Sequence, residues 1–156
     1  MQRRFLLALA TLAIATLAIA TPATLAGSLS FKVAKTASCG CCNAWIEHIR
    51  AAGHKVETSD MDMGSLAQHK IKLGIKPQYA ACHTATVDGY VIEGHVPVAD
   101  IERLLKQRPK AIGLSAPGMP AGSPGMEMGT YREAFDVVLV KQDGSSEVWS
   151  RYEEKP

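Results

Sequence analysis

The chain has 156 residues, 47% of them hydrophobic and 21% charged, which suits one domain with an ordinary core. Its formal net charge is +2; residues 1–26 hold Arg3 and Arg4 and no acidic residue, so residues 27–156 carry 15 basic and 15 acidic side chains. That balance excludes a protein built to grip nucleic acid or an anionic membrane, since both demand a positive excess.

In chain order, "MQRRFLLALATLAIATLAIATPATLAG" comes first: two arginines, a long Ala/Leu/Ile run, then small residues up to Ala26. That layout predicts a secretory signal at 1–26, cleaved near Ala23 or Ala26, and a single mature domain at 27–156. The alternative is a membrane anchor, because the run approaches the length that spans a bilayer. Its Ala/Thr content and small-residue tail favour cleavage.

"SLSFKVAKT" (28–36) alternates apolar and polar residues and predicts a strand. "NAWIEHIRAAG" (43–53) spaces Trp45, Ile46 and Ile49 helically, with Gly53 as its stop. "HKVETSDM" reads as a short strand, and 64–74 as a helix with Ser65 at its N-cap and Gly74 ending it. Asp88-Gly89 then sits between two β-rich runs, the sign of a hairpin. "PVADIERLLKQRP" is an amphipathic helix opened by Pro97 and closed by Pro109.

Residues 109–134 hold five glycines, four prolines and three of the six methionines, with no convincing period. A loop of that length is usually functional or disordered. "FDVVLVKQDGSSEVWSRY" (135–152) closes the chain as a second hairpin around Asp143-Gly144. The expected fold is α/β and thioredoxin-like, β-α-β-α-β-β-α, with a long Gly/Pro/Met loop and a C-terminal β-hairpin.

The chemistry lies in "KTASCGCCNAW" (35–45), where a strand hands over to a helix. Cys39 and Cys42 have CxxC spacing, and a helix N-terminus there stabilises a thiolate. Four cysteines in an exported chain also permit two disulfides, a Cys41–Cys82 pairing among them. Cys41, however, is one thiol too many for a dithiol catalyst, since it can capture the wrong disulfide. Three thiolates on one turn instead suit a soft metal: copper(I), zinc or an iron–sulfur unit.

Cys82-His83 follows a turn holding Pro77, and in a thioredoxin-like fold the turn before the third strand, often with a cis-proline, faces the CxxC. His95 ends the next strand at the same edge. Adjacent strand residues face opposite sides, so Cys82 and His83 compete for the site side. Met119, Met126 and Met128 add thioethers, which zinc seldom takes and copper(I) does. His48 is a weaker candidate on the first helix; Met61, Met63, Trp45 and Trp149 read as structural, and His54 and His69 receive no role.

Together "CGCCNAWIEHIRAAGH", "ACHTATVDGYVIEGHVP" and "APGMPAGSPGMEMG" resemble the CopG-type family, long catalogued as a domain of unknown function. The similarity runs from about residue 30 to the C-terminus. It implies a periplasmic, thioredoxin-like protein of copper-resistance operons, with a CxCC motif that binds copper as a multinuclear cluster and copper redox activity. It implies Cys39, Cys41 and Cys42 as ligands, with Cys82, His83 and His95 facing them and Met119 and Met126 on the loop. Copper ions are then the cargo, and other periplasmic copper-handling proteins its partners. A thioredoxin-like thiol-disulfide oxidoreductase using Cys39 and Cys42 is the competing function.

Overall fold

The structure is a computed structural model and describes residues 27–156. The N-terminal segment expected to be a signal lies outside the described residues. Elements follow as β1 (Ser30–Lys35), α1 (Gly40–Ala51), β2 (Lys55–Asp60), α2 (Met63–Lys72), a 3₁₀ turn (Pro77–Tyr79), β3 (Thr84–Val87), β4 (Tyr90–Gly94), α3 (Val98–Gln107), β5 (Gly113–Ala116), β6 (Phe135–Val140) and β7 (Ser146–Tyr152). Up to α3 the expected β-α-β-α-β-β-α order holds, and the C-terminal hairpin is present as β6–β7.

All strands join one mixed sheet in the order β2-β1-β3-β4-β5-β6-β7. The parallel pairs are β1/β2, crossed by α1, and β4/β5, crossed by α3. The β3–β4 hairpin turns at Asp88 (φ 48°) and Gly89 (φ 86°), both left-handed as a tight I′-type turn requires.

Side chains alternate across the sheet, so neighbouring residues supply opposite faces. Ile92 and Leu139 join Trp45, Ile46, Ile101 and Leu104 in the larger core, under α1 and α3. Val91 and Val140 belong to a second cluster with Ile75 and Tyr79. On that same face Lys70 of α2 reaches Glu93 of β4. Among the described residues no helix is long and apolar enough to cross a membrane.

Three local expectations change. The α2 N-cap is Asp62 rather than Ser65; its carboxylate accepts the Ser65 amide at 2.9 Å, and being ionised it is the stronger acceptor. Pro77 opens the 3₁₀ turn with a trans bond, as all described peptide bonds are.

The stretch 109–134 is not one loop, because β5 lies inside it. All four β5 residues are buried, so "GLSA" shows no alternation to read. Gly113 is required there, since a Cβ would fall 1.7 Å from the Val91 carbonyl oxygen.

Candidate metal centre

Strand pairing brings distant residues to one end of the sheet. Ala34, near the end of β1, pairs with Thr84 at the start of β3, and Thr84 pairs with Glu93 near the end of β4. The turn after β1, the segment before β3 and the residue after β4 therefore meet at one edge. Those three places hold Cys39–Cys42, Cys82-His83 and His95.

Helix α1 starts at Gly40, earlier than its apolar pattern shows, so Cys41 and Cys42 occupy its first turn. Cys39 is the N-cap, and its sulfur accepts the Cys42 amide at 3.3 Å. Free amides and the helix dipole at this position favour negative charge on sulfur.

Cys39 and Cys42 are joined as a disulfide, while Cys41 and Cys82 are free thiols. The alternative Cys41–Cys82 pairing is therefore not the one formed, although the two sulfurs stand 3.8 Å apart. Cys41 Sγ is also 3.6 Å from Cys39 Sγ. One ligand atom from each of the four cysteines lies within 4.8 Å of the others.

Cys82 belongs to a second group as well. One atom from each of Cys82, His83 and His95 meets the same 4.8 Å limit. His95 Nε2 lies 3.0 Å from Cys82 Sγ and His83 Nδ1 lies 3.3 Å from it. The rivalry expected between Cys82 and His83 does not arise, because both precede β3 in irregular backbone where strand alternation does not apply.

The tautomer of His95 follows from its partner. Its Nδ1 lies 2.9 Å from the Pro124 carbonyl oxygen, which only accepts, so Nδ1 carries the hydrogen. Nε2 then turns a lone pair toward Cys82. This is how second-shell carbonyls orient metal-binding histidines.

His83 is completely buried, packs against Trp45 with ring centroids 4.5 Å apart and planes tilted by 44°, and leaves Nε2 without a partner among the described residues. Either tautomer leaves one ring nitrogen unmet. Two imidazoles thus converge on a thiol that has one hydrogen to share. A cation suits this arrangement better than the hydrogen bonds available.

Burial holds the group uncharged. It pushes the Cys82 thiol up to about 12, with the neighbouring Cys41 adding to the effect. Burial first, then repulsion from His95 and Lys70, lowers His83 to about 3. Burial also lowers His95, against the opposing pull of the Pro124 carbonyl and Glu127. Neutral imidazole is the form that binds metal.

The loop 120–128 closes against this end. Gly125 lies so close to α1 that a Cβ would stand 2.7 Å from the Cys41 carbonyl oxygen. Glu127 accepts the Gly125 amide at 2.9 Å and meets His48 Nε2 at 2.6 Å, so His48 serves the loop rather than the cysteines. Met126, half-buried, follows Gly125.

Met119 and Met128 are 55% and 63% exposed, and Met119 lines a groove with Pro117, Pro120 and Phe135. Sequence reading missed Pro124, Gly125 and the Trp45 platform. Their roles come from backbone carbonyls, close approach and ring packing, which leave no motif.

A seven-stranded α/β domain with four sulfurs and two imidazoles at one end of its sheet is a protein able to hold a soft metal ion. The family described as a protein of unknown function, DUF411, matches residues 79–126. No curated protein matches the chain. Two solved structures, forms 1 and 2 of the copper resistance protein CopG, are each 40% identical to it. Each covers 81% of this chain and 99% of its own, with TM-scores of 0.76 and 0.75. The chain belongs to the CopG copper-resistance family.

Proposed function

We propose that this is an exported, periplasmic copper-handling protein whose cargo is copper(I). Residues 1–26 are its signal peptide and 27–156 its single working domain. Cys39, Cys41, Cys42 and Cys82 supply sulfur, His83 and His95 supply nitrogen, and Met119 and Met126 add thioether from the loop. Soft sulfur favours copper(I) and imidazole tolerates copper(II), so a mixed set lets the metal pass an electron. Four sulfurs leave room for a multinuclear cluster, and other periplasmic copper-handling proteins are the partners for transfer.

The observation that carries this reading is Cys82, shared between the four-sulfur group and the two histidines. Loading is tied to redox state: the Cys39–Cys42 disulfide must take up two electrons from an external thiol reductant, which breaks the S–S bond and leaves two thiolates for the metal. The test is copper(I) titration of residues 27–156, reduced and kept without air. Stoichiometric binding supports the reading, and substoichiometric binding sinks it.

The same disulfide favours a second reading, a thiol-disulfide oxidoreductase working through Cys39 and Cys42. Cys41→Ser separates the two. An oxidoreductase keeps its thiol-oxidation activity in that variant, whereas a copper site loses metal.

A further inference from the structure

Cys82 lies between the 3₁₀ turn and β3, outside any strand, and the backbone beside it is paired only through the isolated bridge of Ala81 with Gly118. We infer that Glu93 is the positioning residue for Cys82, holding it through the Ala81 amide, with Gly94 supplying the clearance. The inference rests on the reading of Cys82 as a copper ligand.

Glu93 is completely buried at the end of β4. Its Oε1 accepts the Ala81 N–H at 2.7 Å and the Lys70 ammonium at 2.6 Å. Its Oε2 accepts the Thr84 hydroxyl at 2.6 Å, and Lys70 also donates to Thr84 Oγ1 at 2.8 Å. The two side-chain hydrogen bonds tie Glu93 to α2 and β3, and the third reaches the residue before Cys82.

Gly94 works from the other side. Its amide donates to the His83 carbonyl at 3.0 Å, so the residues flanking Cys82 are gripped by consecutive residues of β4. Gly94 has φ +71°, and a Cβ there would stand 2.4 Å from Ala81 Cβ and 2.8 Å from the Ala116 carbonyl oxygen. His95 follows directly. "EGH" (93–95) thus contributes an anchor, a clearance and a ring nitrogen in three consecutive residues.

Stability alone does not account for this arrangement. A buried ion pair often does no better than apolar residues of similar size. The distinctive feature is that one buried carboxylate accepts a backbone hydrogen from an irregular segment, which an apolar replacement cannot do.

Two double variants isolate that contact in the protein of residues 27–156. Lys70→Met with Glu93→Leu removes both charges and the acceptor. Lys70→Met with Glu93→Gln removes both charges but keeps an oxygen for Ala81. Cys82 alkylation by iodoacetamide is followed in the metal-free protein by mass mapping, beside urea unfolding.

The leucine version is expected to alkylate Cys82 about tenfold faster than wild type, since a lost hydrogen bond to a charged acceptor loosens the segment. The glutamine version returns toward the wild-type rate. Copper(I) affinity falls roughly 10–100-fold in the leucine version, as loss of an outer-shell contact does. Equal Cys82 rates in both variants and wild type overturn the inference.

Should the leucine version fail to fold, Gly94→Ala takes its place, and an unchanged Cys82 rate there overturns the inference. Asp100→Asn, at the α3–β7 contact, serves as a destabilised control and is expected to leave the Cys82 rate alone; equal acceleration in it overturns the inference too. If wild type binds no copper(I) while the Cys82 rates separate as expected, the copper reading fails and the positioning role stands.

Discussion

His95 and Asp100, five residues apart, anchor two polar clusters that obey opposite rules. Asp100, at the start of α3, is met only by donors. The Tyr152 hydroxyl donates to it at 2.6 Å, the Arg103 guanidinium at 3.1 Å, and the Ser150 hydroxyl completes the set. Arg103 also donates to the Trp149 carbonyl at 2.7 Å and lies 4.2 Å over its ring. Burial, aided by the hydrogen bond to Asp100, raises the Tyr152 hydroxyl and keeps it a donor.

The His95 cluster instead turns acceptors toward one another. His95 Nε2 and a His83 nitrogen meet at one sulfur. Among the described residues each cluster has one nitrogen without a partner, but that of Trp149 is an N–H that can only donate. The first cluster closes on itself and clasps α3 to β7. The second has lone pairs left over for a metal ion.

That contrast can be broken from either side. The largest expected effect is from Cys41→Ser: copper(I) on the reduced protein falls to a substoichiometric level by titration, while urea unfolding shifts by no more than roughly 0.5 kcal/mol, as for a change away from core packing. His95→Ala comes next. It removes a ring nitrogen and strands the Pro124 carbonyl, and competitive copper(I) chelation should show a loss of at least roughly 10–100-fold in affinity.

Asp100→Ala probes the other cluster. It leaves the Tyr152 and Ser150 hydroxyls without their acceptor, while Arg103 keeps the Trp149 carbonyl, and should cost about 3 kcal/mol in urea unfolding with copper stoichiometry unchanged. A parallel fall in copper loading would mean that the clasp and the metal end are not independent.

Acidification tests the His83 environment. The unfolded imidazole takes up a proton near its usual 6.5, whereas the native one resists until about 3. Between those values the unfolded state binds more protons, so stability is lost as pH falls through the window. Urea unfolding at a series of pH values should show that slope, and His83→Gln should flatten it.

The smallest effect belongs to the loop latch. Glu127→Gln weakens a half-exposed pair with His48 and should cost under about 1 kcal/mol in unfolding.

Much of this contrast was legible beforehand, unevenly. Asp88-Gly89 and Asp143-Gly144 marked both hairpins because turn chemistry is local. Strand β5 escaped because four buried residues carry no period. Cys82, His83 and His95 were legible as residue types. The buried Lys70–Glu93 pair was not, since an acidic residue in "YVIEGHV" reads equally well as an exposed strand position.

The sequence by itself determined the place of Cys39, Cys41 and Cys42, since three cysteines at a strand-to-helix step share one turn in any fold that forms the step. It also determined the chemical character of the chain: soft ligands in a stretch without net charge. Only the tertiary structure decided that Cys82 stands 3.8 Å from Cys41 across 41 residues of chain, and that Cys39 bonds to Cys42 instead. It alone decided that Pro124 orients His95 and Gly125 lies against α1. The physical reason is that strand pairing and backbone carbonyls set those contacts, and neither depends on side-chain identity closely enough to leave a readable pattern.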